Sequence, residues 1–183
     1  LLPGFPIDIG SSGEGNAKLA DLDGDGVRDV VFPSSDGTIH AWNVRGSEPK
    51  EIAGWPFKTA TIDGLNPAIT DPFVPSYLNG TAYKNGKNGG VDTALAHESI
   101  MNAPAIDDLD GDGKPEVVLS TWPGTIYVVD HAGKTLPGWP KPLPILPSCP
   151  LAPAKPKPTG DCTNLRQGYP RGTYGAPVLA DLA

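Results

Sequence analysis

The chain has 183 residues, enough for one ordinary domain. Its 23 Gly and 22 Pro make it loop-rich, but 38% apolar and 19% charged residues exclude a disordered composition. A net charge of −7 argues against a nucleic-acid partner, which calls for a basic face, and no apolar run is long enough to span a bilayer as a helix.

Residues 1–14 open with Leu2-Pro3-Gly4-Phe5-Pro6, whose Gly-aromatic-Pro ending returns twice downstream. A first full unit, 15–58, begins with a strand predicted over Ala17–Ala20. It feeds the loop Asp21-Leu22-Asp23-Gly24-Asp25-Gly26-Val27-Arg28-Asp29. The β-branched and apolar run Asp29–Phe32 reads as the second strand. Asp36-Gly37 is a hairpin signal, and Thr38–Asn43 is the third strand. Its alternation puts Ile39 and Ala41 on one sheet face and His40 and Trp42 on the other. Gly46 marks a further turn, and the fourth strand is expected in the outer stretch around Trp55 of Gly54-Trp55-Pro56.

An insert, 59–101, carries the Gly/Asn-rich tip Asn85–Gly90 and a short helix predicted over Val91–Glu98. The second unit, 102–142, repeats the plan: a strand at Pro104–Asp107, the loop Asp108-Leu109-Asp110-Gly111-Asp112-Gly113-Lys114-Pro115-Glu116, strands at Glu116–Ser120 and Thr125–Asp130, then Gly138-Trp139-Pro140. Residues 143–172 form a Pro-rich insert in which Lys155-Pro156-Lys157-Pro158 reads as extended chain. Cys149 and Cys162 lie there, and a disulfide between them would fit an oxidising compartment. In 173–183, Gly175–Leu182 copies Asn102–Leu109.

Asp21 and Asp108 stand 87 positions apart, and at that shift Asp21–Gly46 aligns with Asp108–Gly133 without a gap. Four-stranded units repeated in line predict an all-β fold: a β-propeller segment of about two complete four-stranded blades plus partial blades at both ends. The two partial units are expected to belong to a longer repetitive protein, the alternative being a short natural chain with degenerate ends. No secretory leader is read in the chain, so one is expected to have been removed or to lie upstream.

The two loops carry the chemistry. Each sets carboxylates at positions 1, 3, 5 and 9 of nine, with glycine at 4 and 6. Alternate acids on a tightly turning backbone converge on one point, where they repel one another unless a cation lies among them. Hard oxygen donors on a flexible loop suit Ca2+ better than the smaller, near-octahedral Mg2+. The expected ligands are Asp21, Asp23, Asp25 and Asp29 with the Val27 carbonyl, and Asp108, Asp110, Asp112 and Glu116 with the Lys114 carbonyl. Two such ions would bring the formal charge from −7 to −3. An EF-hand does not fit: position 12 is Phe32 or Leu119 rather than Glu, and strands rather than helices follow.

Ala-Asp-Leu-Asp-Gly-Asp-Gly-x-x-Asp-Val-Val at residues 20–31, then Asp-Gly-Thr-Ile-x-Ala-Trp at 36–42, then Gly-Trp-Pro at 54–56, resembles the FG-GAP/VCBS repeats of integrin-α-like propellers. The resemblance covers 15–58 and 102–142, and the two ends partly. It implies that the Asp-rich hairpin loop joins the first two strands of each blade and binds Ca2+, and that seven blades usually close the ring. Glu116 departs from the commoner Asp at position 9. Two units do not close a ring, so closure is expected to use further sequence or another chain.

No catalytic set emerges. His40 lies in a predicted strand, His131 at a turn and His97 in the first insert, with no zinc spacing. His97, Glu98 and Ser99 lack a nucleophile motif. Trp55 and Trp139 recur within the repeat and read as packing, which leaves Trp122 as the indole expected to be exposed for stacking. Asn79-Gly80-Thr81 matches a glycosylation sequon. The expectation is a non-enzymatic, calcium-binding propeller segment of an extracellular, cell-surface or periplasmic protein, working in adhesion or protein–protein assembly. The alternatives are a carbohydrate-binding, lectin-like or polysaccharide-lyase propeller, and a scaffold subunit of a larger secreted or membrane-associated complex. The expected partner is a protein or the remainder of the same propeller, with a glycan as a second candidate.

Overall fold

The computed structural model describes residues 3–61, 97–143 and 175–181. Among these the chain is all-β, with two antiparallel sheets and no helix. The first sheet runs β1 (Lys18–Ala20), β2 (Asp29–Pro33), β3 (Thr38–Asn43) and β4 (Lys50–Glu51), with β5 (Phe57–Lys58) also paired to β3. The second runs β6 (Ala105–Asp107), β7 (Glu116–Ser120), β8 (Thr125–Val129) and β9 (Lys141–Pro142). No helix among the described residues is long and apolar enough to cross a membrane.

The strands lie where the β-branched runs and the Asp-Gly and Pro-Gly turns put them, within a residue at each end. The fourth strand differs. Instead of one strand through Trp55, β4 pairs with Trp42 and Asn43 while β5 pairs with Thr38 and Ile39. Gly54 at φ 93° and Pro56, which has no N–H, break the ladder between them. In the second unit this connection is three residues shorter, and the counterpart of β4 shrinks to a single bridge between Val129 and Thr135. Of the helix predicted over Val91–Glu98, residues 91–96 lie outside the described residues; His97 forms an extended bridge with Thr61, and Glu98 is not helical. The Cys149–Cys162 pairing, the sequon at Asn79 and most of both inserts also lie outside them.

Register fixes which faces meet. Val31 opposes Ala41 and Pro33 opposes Ile39, so these four share one face of the first sheet; Val30, Phe32, His40 and Trp42 share the other. In the second sheet Val117 opposes Val129 and Leu119 opposes Tyr127. The buried core joins Val31, Ile39 and Ala41 to Val117, Leu119, Tyr127 and Val129. Shifted by 87, the second set corresponds to Val30, Phe32, His40 and Trp42, which face away from this junction. Unlike faces therefore meet, and the two units stack head to tail.

The stack is tied by polar bonds as well as apolar burial. Trp55 Nε1–H donates to the His131 carbonyl (2.9 Å), and the Ala60 amide donates to the Tyr127 hydroxyl (3.0 Å). Phe57 meets Tyr127 edge-on at 5.7 Å. The Glu98 carboxylate accepts from the hydroxyls of Thr121 (3.1 Å), Thr125 (2.8 Å) and Tyr127 (2.9 Å). Burial and the adjoining Glu98 push the Tyr127 phenol well up, which keeps it a donor. Backbone also meets backbone: a side chain at Gly54 would collide with the Ala132 carbonyl. Gly4, in the first copy of the same motif, is also held close, there against the Pro49 ring. At the far end the Ser120 hydroxyl donates to the Gly175 carbonyl (3.4 Å), and Gly175 is the copy of Asn102.

Candidate metal-binding loops

Each acidic loop links the first two strands of its sheet. Its shape comes from side-chain oxygens accepting from its own amides. Asp21 Oδ1 takes the N–H of Gly24 (2.8 Å) and of Asp25 (3.1 Å), and Oδ2 takes that of Gly26 (2.8 Å). Asp108 holds the amides of Gly111 and Gly113 in the same way, at 2.8 and 2.9 Å. These bonds curl the chain through Gly24 (φ 76°) and Gly26 (φ 83°), a left-handed path that explains the two glycines. At position 9, Asp29 Oδ2 accepts from the Leu22 amide and Glu116 Oε2 from the Leu109 amide, both at 2.8 Å.

Of the expected side-chain ligands, the structure brings Asp21, Asp23 and Asp29 together, one carboxylate oxygen of each lying within 4.8 Å of the others. Asp108, Asp110 and Glu116 form the equivalent group. Asp25 and Asp112 stand outside these groups, and each accepts the amide of the position-7 residue, Val27 or Lys114, at 2.8 Å. Asp25 Oδ2 also accepts from Asn43 (3.1 Å) and Arg45 (3.3 Å). Asn43, then the Val27 amide and Arg45, hold the Asp25 carboxyl below its ordinary range.

Asp29 and Glu116 are 0% and 1% exposed. Burial, reinforced by Asp23 and Asp21 at one site and by Asp110, Asp112 and Asp108 at the other, pushes both carboxyls up. Asp29 Oδ1 is buried without any hydrogen-bond partner. A carboxylate oxygen sealed beside two more acids, with no donor, is the feature that a bound cation would satisfy. The donor set is all oxygen, with no thiolate or imidazole, as a hard cation prefers.

No protein-family model and no curated protein sequence matches this chain.

The other residues singled out by sequence fall into packing roles. His40 is half-buried, stacked on Trp42 at 4.8 Å and paired with Glu51 (3.1 Å). Trp42 and Trp55 are buried, and Trp139 is half-buried with Lys141 over its ring. Trp122, expected to be exposed, is half-buried; its amide bonds to the Ser99 carbonyl (2.8 Å). His131 lies in its predicted turn, Nε2 3.3 Å from Lys114 Nζ. Sequence reading missed Asn43 and Arg45 as neighbours of the first loop. The signal was there: at the 87-residue shift Asn43 aligns with Asp130, a polar residue at the same strand end.

Proposed function

We propose that the two loops bind Ca2+ and that the chain contributes blades to a calcium-stabilised β-propeller of the FG-GAP/VCBS type, non-enzymatic and working outside the cytoplasm in adhesion or assembly. The observation that carries the metal reading is Asp29 Oδ1, fully buried and without a donor beside Asp21 and Asp23. The propeller reading is supported by the head-to-tail stack and by the contact between β1 and β6, the first strands of the two sheets.

Asp21, Asp23 and Asp29 would hold the ion at the first loop, and Asp108, Asp110 and Glu116 at the second. The ion supplies positive charge that offsets the mutual repulsion of these carboxylates. The protein's part is to hold the oxygens in place beforehand: the Leu22 and Leu109 amides fix the position-9 carboxylates, while the glycine amides fix Asp21 and Asp108. Ion binding to the folded chain then adds to its stability. No exposed indole platform accompanies the loops, since all four tryptophans are buried or half-buried.

Metal analysis and melting test this directly. Calcium-equilibrated protein is expected to carry two ions, Asp23→Ala and Asp110→Ala about one each, and excess chelator to lower the melting temperature by several degrees. An unchanged melt and no retained metal would remove the calcium reading.

A further inference from the structure

The two loops match in backbone and differ in what faces them from the end of the third strand. Asn43 Oδ1 holds its turn by accepting the Arg45 amide (2.8 Å). That leaves the Nδ2 group as a donor, and it bonds to Asp23 Oδ2 (2.6 Å) and Asp25 Oδ2 (3.1 Å). Arg45 adds an ion pair to Asp25 (3.3 Å) and a weaker bond to the Asp25 carbonyl (3.4 Å). In the second unit Asp130 replaces Asn43. Its Oδ1 does the same turn-holding work, accepting the amides of Ala132 (2.9 Å) and Lys134 (2.8 Å). Its other branch is an oxygen, which has no proton to give. Ala132 replaces Arg45, and among the described residues no cation pairs with a carboxylate of the second loop.

Resting on the calcium reading above, we propose that Asn43 and Arg45 make the two sites unequal. They occupy the first loop's carboxylates with protein donors, so Ca2+ fills the Asp108–Glu116 loop first and the Asp21–Asp29 loop at higher concentration. An arriving ion at the first loop meets a guanidinium charge nearby and must draw Asp23 from the Asn43 amide. At the second the equivalent Asp130 branch has no proton to give and Ala132 carries no charge, so neither has to be displaced. The same donors offset part of the first loop's charge, at Asp23 and Asp25, so that side of the loop keeps its shape at calcium levels where the second is already loaded.

The test is a calorimetric Ca2+ titration of the chelator-stripped full chain, with Asp23→Ala and Asp110→Ala assigning the phases. The phase lost in Asp110→Ala is expected to be the tighter one. In the Asp110→Ala background, the double change Asn43→Asp with Arg45→Ala, which copies the second unit, is expected to tighten the remaining site on the order of fivefold or more, the reach of one exposed ion pair with its hydrogen bond. Asn43→Asp alone, nearly isosteric, moves it the same way by less. Two equal phases, a tighter first loop, or a first-loop affinity unmoved by both changes would overturn the inequality while leaving calcium binding intact. A wild-type chain that takes up no Ca2+ overturns both.

Discussion

At position 9 of the first loop a single oxygen decides much of the energetics. Asp29 is sealed from water with Oδ1 unpartnered, so without an ion its charge is a cost that the fold carries. Asp29→Asn keeps the Leu22 amide bond and turns the orphan acceptor into a neutral group. In excess chelator the variant is expected to be more stable than the parent by about 1 kcal/mol, while it loses the calcium response of that loop; denaturant melts with and without Ca2+ check both. The pH dependence has a definite sign. A carboxyl raised in the folded state favours folding below its unfolded value, 3.8 for Asp29 and 4.5 for Glu116, and loses that contribution as pH rises through the folded value. The gap in melting temperature between calcium-loaded and chelated protein is therefore expected to narrow as pH falls from 7 toward 4, when protons take the place of the ion. The ligand positions were legible in sequence because alternate acids around two glycines leave few other shapes. Asn43 and Arg45 were not, because they reach the loop from a strand end some twenty residues on, and only tertiary folding supplies that proximity.

Among elements, the joint between the sheets depends on the Gly54-Trp55-Pro56 segment. Trp55→Phe keeps most of the apolar burial and removes the donor to the His131 carbonyl. It is expected to cost about 1–2 kcal/mol in urea unfolding, with calcium stoichiometry unchanged. Gly54→Ala places a methyl group against the Ala132 carbonyl at a positive φ, and is expected to cost more than the indole bond. Strand positions could be read from the sequence, since β-branched runs between Gly turns leave little choice. The split of the outer strand into β4 and β5 could not, because it depends on where β3 offers free ladder positions on either side of Trp55.

Across the whole molecule the stack is directional, and its outward faces repeat the inner ones. Leu22 is buried at the junction, while its copy Leu109 is 44% exposed; Ile106 packs on the core, while its copy Leu19 is 58% exposed. Unlike faces pointing outward favour open-ended association over closed pairs. Sedimentation across a concentration series is expected to show a ladder of species, shortened by Leu19→Glu or Leu109→Glu; a clean monomer–dimer equilibrium would contradict this. The meeting of Gly54 with the Ala132 backbone has a wider consequence. Where the joint is made of main-chain atoms it does not inspect side-chain identity and asks only that Gly54 and Gly133, which meet there, stay bare. Residues outside that contact can then diverge between copies, as Asn43 has from Asp130 and Val27 from Lys114, and the copies still fit one behind another, which leaves selection free to specialise each copy's loop rim without rebuilding the main-chain contact.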